Sequence, residues 1–242
     1  MKVSIFKPQC ISEKGKRGKN EDWIYPNCSN AKESNRLFIV CDGLGGHVFG
    51  EIASRLACES FLDYIAFEEN FLPENVLKFI EMRFSEYIEM LPECNGMGTT
   101  LSFLKFEKEF AYIGWVGDSR VYHVRNGKIL LQTRDHSLIN ELIKKGELSV
   151  KEAKYDPRKN IITNVISGEY HPAYIEYKKI EDIKPDDYFL LCTDGFLENI
   201  DDNLIEVTLI KNYTVENIKA KFESICNNAT SDNYSMVLIK IK

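Results

Sequence analysis

Four aspartates stand where apolar stretches of this 242-residue chain end or begin. Asp42 follows the run 37–41, Asp118 follows 110–116 and its Gly117, Asp194 follows 188–192, and Asp232 precedes 236–241. Glu21 and Asp22 add an acidic pair near the start. Each site alone fits an ordinary Asp-Gly or Asp-Asn turn. If the strand ends converge, the carboxylates crowd together, and desolvated like charges repel strongly. Hard divalent cations with oxygen ligands, Mg²⁺ or Mn²⁺, are the natural counterparts.

Other chemistries fit less well. The segment 41–51 carries four glycines between a buried-looking strand and an amphipathic helix, as a phosphate loop would. A Walker loop needs lysine after its last glycine, where Glu51 stands; a dinucleotide fingerprint starting at Gly43 needs glycine at Val48. Both fail, which disfavours a metal-stabilised nucleotide-binding protein and leaves Asp42 with the Gly43 carbonyl beside it. His47, His123, His136 and His171 follow no zinc pattern. There is no G-x-S-x-G, and the cysteines have no basic neighbourhood that would activate one as a nucleophile.

The elements that must position these residues are read from periodicity. Strands are expected at 37–41, 100–106, 110–116, 120–124, 129–133, 173–177, 188–192 and 236–241, with Asn126-Gly127 as a hairpin turn. Apolar residues at three- and four-residue spacing predict helices over 52–65 and 76–91, the second opened near Pro73. A shorter helix at 138–143 closes on Gly146, Ser149-x-x-Glu152 reads as a capping box, and Thr214 opens a last helix through Asn227. The order is not alternating βαβ, so the fold class is α+β, with helices covering antiparallel sheets. No repeat or linker interrupts it, which favours one domain over 1–242, with an excursion at about 134–168.

Composition sets outer limits. Hydrophobic residues make up 44% and charged residues 28%, which excludes a disordered chain. No apolar run approaches the ~20 residues of a membrane helix. Lys and Arg (31 against 37 acidic residues, net charge −6) are scattered, which argues against nucleic acid as a partner. Seven cysteines without regular spacing, and no signal-peptide core at the start, point to a reducing, cytoplasmic setting without disulfides.

In chain order the motifs are Gly15-x-Arg17-x-x-Asn20-Glu21-Asp22, Asp42-Gly43-x-Gly45-Gly46-His47 with Gly50-Glu51, Gly96-Met97-Gly98-Thr99-Thr100, Gly117-Asp118-Ser119-Arg120, Asp135-His136-Ser137, Ser167-Gly168, Thr193-Asp194-Gly195 and Asp232-Asn233. Together they resemble the protein phosphatase type 2C family, the metal-dependent serine/threonine phosphatases, in its short bacterial form. The resemblance implies a four-layer α/β/β/α sandwich of two antiparallel sheets. It implies that Asp42 bridges two Mn²⁺ or Mg²⁺ ions, that the Gly43 carbonyl serves one and Asp194 and Asp232 the other, and that Asp118 with Asp194 holds a third. Glu21 and Asp22 would orient metal-bound water, and Arg17 would grip the substrate phosphate.

The implied activity is hydrolysis of phosphoserine and phosphothreonine in proteins by a metal-activated water, without a phosphoenzyme, opposite a cognate kinase. The chain is then expected to be a monomer without membrane or nucleic-acid partners, and 134–168 to be a flap beside the site. Animal relatives often carry histidine two residues after the bridging aspartate; here Leu44 stands there, leaving protonation of the leaving group to water. His47, His136 and Ser137 are expected to be structural. The alternative is a catalytically inactive signalling module that keeps the fold; the presence of Asp42, Asp194 and Asp232 favours activity.

Overall fold

The computed structural model describes residues 3–44, 49–68, 70–153, 155–210, 213–227 and 229–242. Ten strands form two antiparallel sheets. The first contains β1 (Gln9–Glu13), β10 (Tyr234–Lys240), β9 (Tyr188–Cys192), β6 (Arg120–Arg125) and β7 (Lys128–Gln132), in that order. The second runs β2 (Asp22–Tyr25), β3 (Leu37–Asp42), β4 (Leu101–Phe106), β5 (Ala111–Val116) and β8 (Glu176–Ile180).

Three apolar layers hold the stack together. Leu37, Ile39 and Cys41 of β3 join Phe103 against Phe61 of α1 (Gly50–Phe67) and Ile80 and Phe84 of α2 (Pro73–Met90). The alternate residues Phe38 and Val40 face the other way, into an inter-sheet core with Leu104, Trp115, Val121, Phe189, Leu191 and Val237. On the far face of the first sheet, Tyr122, Leu190 and Met236 pack on Phe196 and Phe222. Those two phenylalanines come from α5 (Asp194–Leu197) and α7 (Val215–Cys226); α6 (Asp202–Thr208) completes that layer through Ile205. The result is the expected α+β sandwich of layers α/β/β/α. Because β3 is covered on both faces, its sequence reads as an unbroken apolar run.

Local chemistry explains the element ends. Pro73 opens α2 at a first-turn position. Ser137 caps α3 (Leu138–Lys145) by accepting from the Asn140 amide, and Gly146 closes it at φ 76°. Ser149 and Glu152 bond reciprocally at the start of α4 (Val150–Ala153). Asn126 and Gly127 both take positive φ, 52° and 70°, in the β6–β7 hairpin. All seven cysteines are free. No helix among the described residues is long and apolar enough to cross a membrane.

Two expectations change. Strand 173–177 forms three residues later, as β8, because its register is fixed by pairing of Ala111 with Ile180 and Trp115 with Glu176. β1 and β2 are strands that periodicity does not reveal: each is short and is held by a distant partner, Cys10 opposite Val237 and Ile24 opposite Val40. The segment 134–168 contains α3 and α4 and is tied back by bridges from Ser137 to Ile162 and Thr99 to Ile166.

Candidate active site

The strand-end carboxylates meet at one end of the sandwich. Asp42 ends β3 directly opposite Asp22 of β2. The Asp42 backbone is pinned: its amide donates to Thr100 Oγ1 at 3.0 Å, and its carbonyl accepts from Thr99 Oγ1 at 2.8 Å and from the Thr100 amide at 2.9 Å. Gly43 donates its amide to the Glu21 carbonyl at 3.1 Å, and a Cβ on it would lie 2.1 Å from the Gly50 carbonyl oxygen. Only glycine allows that approach. Asp194 opens α5, and a Cβ on Gly195 would lie 2.0 Å from the Asn233 carbonyl oxygen, so the loops bearing Asp194 and Asp232 are in contact. Asp118 sits in the β5–β6 turn, where the chain passes from one sheet to the other.

The carboxylates feel one another. Burial, then the charges of Asp22, Asp194, Asp118 and Asp232, push the Asp42 carboxyl well above its usual range. Burial and the Asp194 and Asp135 charges push Asp118 up to about 8. Burial also pushes Asp22 up to about 7, although Thr193 Oγ1 donates to its Oδ2 at 3.0 Å. Asp194 is raised by burial and by Asp232. Asp22 Oδ1 and Asp118 Oδ1 are buried and have no hydrogen-bond partner among the described residues.

Such a cluster is costly in the absence of positive charge. The oxygen-only donor set and the two orphaned carboxylate oxygens fit hard divalent ions. Among the described residues no group of three or more His, Cys, Asp or Glu side chains stands close enough to hold a metal ion by itself. Mg²⁺-type ions keep several waters, which would complete the coordination that the side chains alone do not.

Cationic and amide groups surround the cluster. Arg17 Nη2 donates to Asp232 Oδ2 at 2.7 Å. Lys19 pairs with Glu21 at 3.3 Å and with Glu51 at 2.6 Å. The candidate set Arg17, Glu21, Asp22, Asp42, Gly43, Asp118, Asp194 and Asp232 is thus gathered in one region. Gly45, Gly46 and His47 lie outside the described residues. His136 is buried; its Nδ1 accepts from the Gly117 amide at 3.1 Å, which anchors the turn before Asp118.

Two features escape the sequence. Asn233 Nδ2 donates to the carbonyls of Lys14 (2.9 Å) and Lys19 (2.8 Å), while its Oδ1 accepts from the Glu21 amide (2.8 Å). It fastens the Arg17 loop to the Asp232 loop. Arg120 makes paired 2.7 Å bonds to Asp135 beside Asp118. Both residues fall within the motifs quoted above, but only the fold gives them partners.

A family model described as protein phosphatase 2C matches residues 19–238. The chain belongs to the protein phosphatase 2C family. Serine/threonine phosphatase Stp of Listeria monocytogenes is 30% identical over 220 residues, covering 86% of each chain. Protein phosphatase PhpP of Streptococcus pneumoniae is 30% identical over 234 residues, covering 93% of each. The crystal structure of Stp1 from Staphylococcus aureus superposes with a TM-score of 0.84 at 28% identity, covering 100% of this chain and 98% of that one. This protein phosphatase 2C chain is accordingly a protein-serine/threonine phosphatase.

Proposed function

We propose that the chain removes phosphate from phosphoserine and phosphothreonine in proteins by direct attack of water, with Mn²⁺ or Mg²⁺ as cofactor. The observation that carries the proposal is the convergence of Asp42, Asp118, Asp194 and Asp232, with orphaned buried oxygens on Asp118 and Asp22. Asp42 and the Gly43 carbonyl would hold one ion; Asp42, Asp194 and Asp232 would hold the second; Asp118 and Asp194 would hold a third. Bound there, such ions supply an activated water and neutralise charge on the phosphoryl oxygens.

The chain's own groups do the rest. Arg17, on a loop at the edge of the cluster, presents a planar fork suited to two phosphate oxygens. Glu21 and Asp22 accept hydrogen bonds from water and orient it. Among the described residues no side chain is placed as a covalent nucleophile. The leaving alkoxide takes its proton from water, since Leu44 offers none. The retained carboxylate set counts against an inactive binding module. The setting we propose is cytoplasmic, with a monomeric enzyme acting against a cognate kinase.

The test is hydrolysis of p-nitrophenyl phosphate and phosphothreonine peptides with Mn²⁺. EDTA is expected to abolish turnover, and Asp42→Asn or Asp232→Asn to lose nearly all of it while remaining folded. Full activity in excess chelator would refute the proposal.

A further inference from the structure

A cavity of about 760 Å³ opens from Asp118, Asp194 and Asp232 toward the segment that carries α3 and α4. A single phosphate group needs far less space; this volume lies in the range of ~300–1,000 Å³ that encloses a whole ligand. Its two walls differ in charge. One carries the carboxylates of the cluster together with Glu198. The other, from residues 134–160, carries Arg134 and Lys159 together with Asp135, Ile139, Ile143 and Val150.

Arg120 also lines the cavity, but its Nε and Nη2 are occupied by Asp135 and its Nη1 donates to the Tyr122 hydroxyl at 3.1 Å. Arg134 donates only to the Asn140 carbonyl, at 3.0 Å, and among the described residues neither Arg134 nor Lys159 has a carboxylate partner. Asp135, the acidic residue of this wall, is neutralised by Arg120. The wall therefore presents uncompensated positive charge in a chain whose net charge is −6. Val150, an apolar side chain lining this cavity, is 68% exposed.

We infer that this wall selects phosphopeptides in which acidic and aliphatic residues flank the phosphorylated one. The acidic side chains meet Arg134 and Lys159, and the aliphatic ones pack on Ile139, Ile143 and Val150. A flanking lysine would face two like charges while its desolvation went unrewarded. The inference rests on the phosphatase activity proposed above, because it places the phosphate at the carboxylate cluster.

The experiment compares phosphothreonine peptides that differ only at the flanking positions: aspartate with leucine, lysine with leucine, and aspartate with glycine. They are assayed on the full chain with saturating Mn²⁺. The aspartate–leucine peptide is expected to exceed each of the others about fivefold in kcat/KM, the scale of a partly exposed charge or apolar contact. The charge preference is expected to shrink at high salt. Lys159→Glu reverses it, Arg134→Gln narrows it, and both leave p-nitrophenyl phosphate turnover unchanged.

Equal turnover of the aspartate and lysine peptides, or an unaltered preference in Lys159→Glu, overturns the charge selection. Equal turnover of the leucine and glycine peptides overturns the apolar part. An enzyme active on p-nitrophenyl phosphate but blind to the flanks fails this inference alone. A chain inactive on every substrate with metal fails the phosphatase proposal itself, and the inference falls with it.

Discussion

Arg17 and Asp232 lie far apart in the chain, yet their side chains meet at 2.7 Å beside the carboxylate cluster. Both are partly open to solvent, 48% and 32% exposed. An exposed pair of this kind contributes little to stability, roughly 0–1 kcal/mol. The same guanidinium can exchange Asp232 for a phosphate dianion. Arg17→Ala is therefore expected to lower kcat/KM for a phosphopeptide by about 10–100-fold, the loss of one or two charge-assisted bonds. Its melting temperature should stay within about 2 °C of the parent. Steady-state kinetics paired with a thermal melt checks this; unchanged kcat/KM would remove Arg17 from the site.

Metal should act on stability as well as on turnover. The carboxylates repel when uncompensated, so Mn²⁺ is expected to raise the melting temperature and EDTA to lower it. Asp42→Asn relieves the crowding and should melt roughly 2–4 °C above the parent in EDTA at pH 8, equivalent to about 1 kcal/mol. It should also lose most of the Mn²⁺-induced shift. A variant that is less stable than the parent in EDTA, with a full metal response, would contradict the placement of Asp42.

The pH dependence has a definite sign. Asp22 and Asp118 are raised to about 7 and about 8, burial being the largest cause, and Asp42 is raised well above its usual range by burial and by the neighbouring carboxylates. Unfolded aspartates titrate near ~3.9. Between that value and pH 8 the folded chain binds more protons than the unfolded one, so stability falls as pH rises. Metal-free protein is expected to melt progressively lower from pH 5 to pH 8. Saturating Mn²⁺ should flatten that slope, and differential scanning calorimetry in EDTA and in Mn²⁺ would detect the contrast.

Asn233 makes three hydrogen bonds to the backbone of the 14–21 loop and is buried. Asn233→Ala strands two carbonyls and an amide, and is expected to cost about 2–4 kcal/mol. Because Arg17 rides on that loop, KM for phosphopeptides should rise as well. Urea unfolding gives the first quantity and kinetics the second; a loss below ~0.5 kcal/mol would show that the strap is dispensable.

How much was legible in the sequence depended on the range of the cause. Ser149, Gly146, Pro73 and the Asn126-Gly127 turn act on their own neighbours, and each was readable where it stood. β3 was readable because both its faces are covered. β1 was not: Gln9, Ser12 and Glu13 dilute its apolar content, and its strand character comes from pairing with β10. β8 is exposed and lysine-rich, so its position follows from the register of β5. The acidic site was visible as carboxylates at strand ends. Asn233 and the Arg120–Asp135 clamp were not, since their partners are known only once the chain has folded.

The position of the Asp118 turn between the sheets has a consequence for how activity arises. Asp42 belongs to one sheet and Asp194 and Asp232 flank strands of the other. Neither half of the sandwich owns a working centre. Turnover is therefore born only when the two halves dock, and enzyme assays during refolding will report that late joining event rather than the earlier appearance of strands or helices.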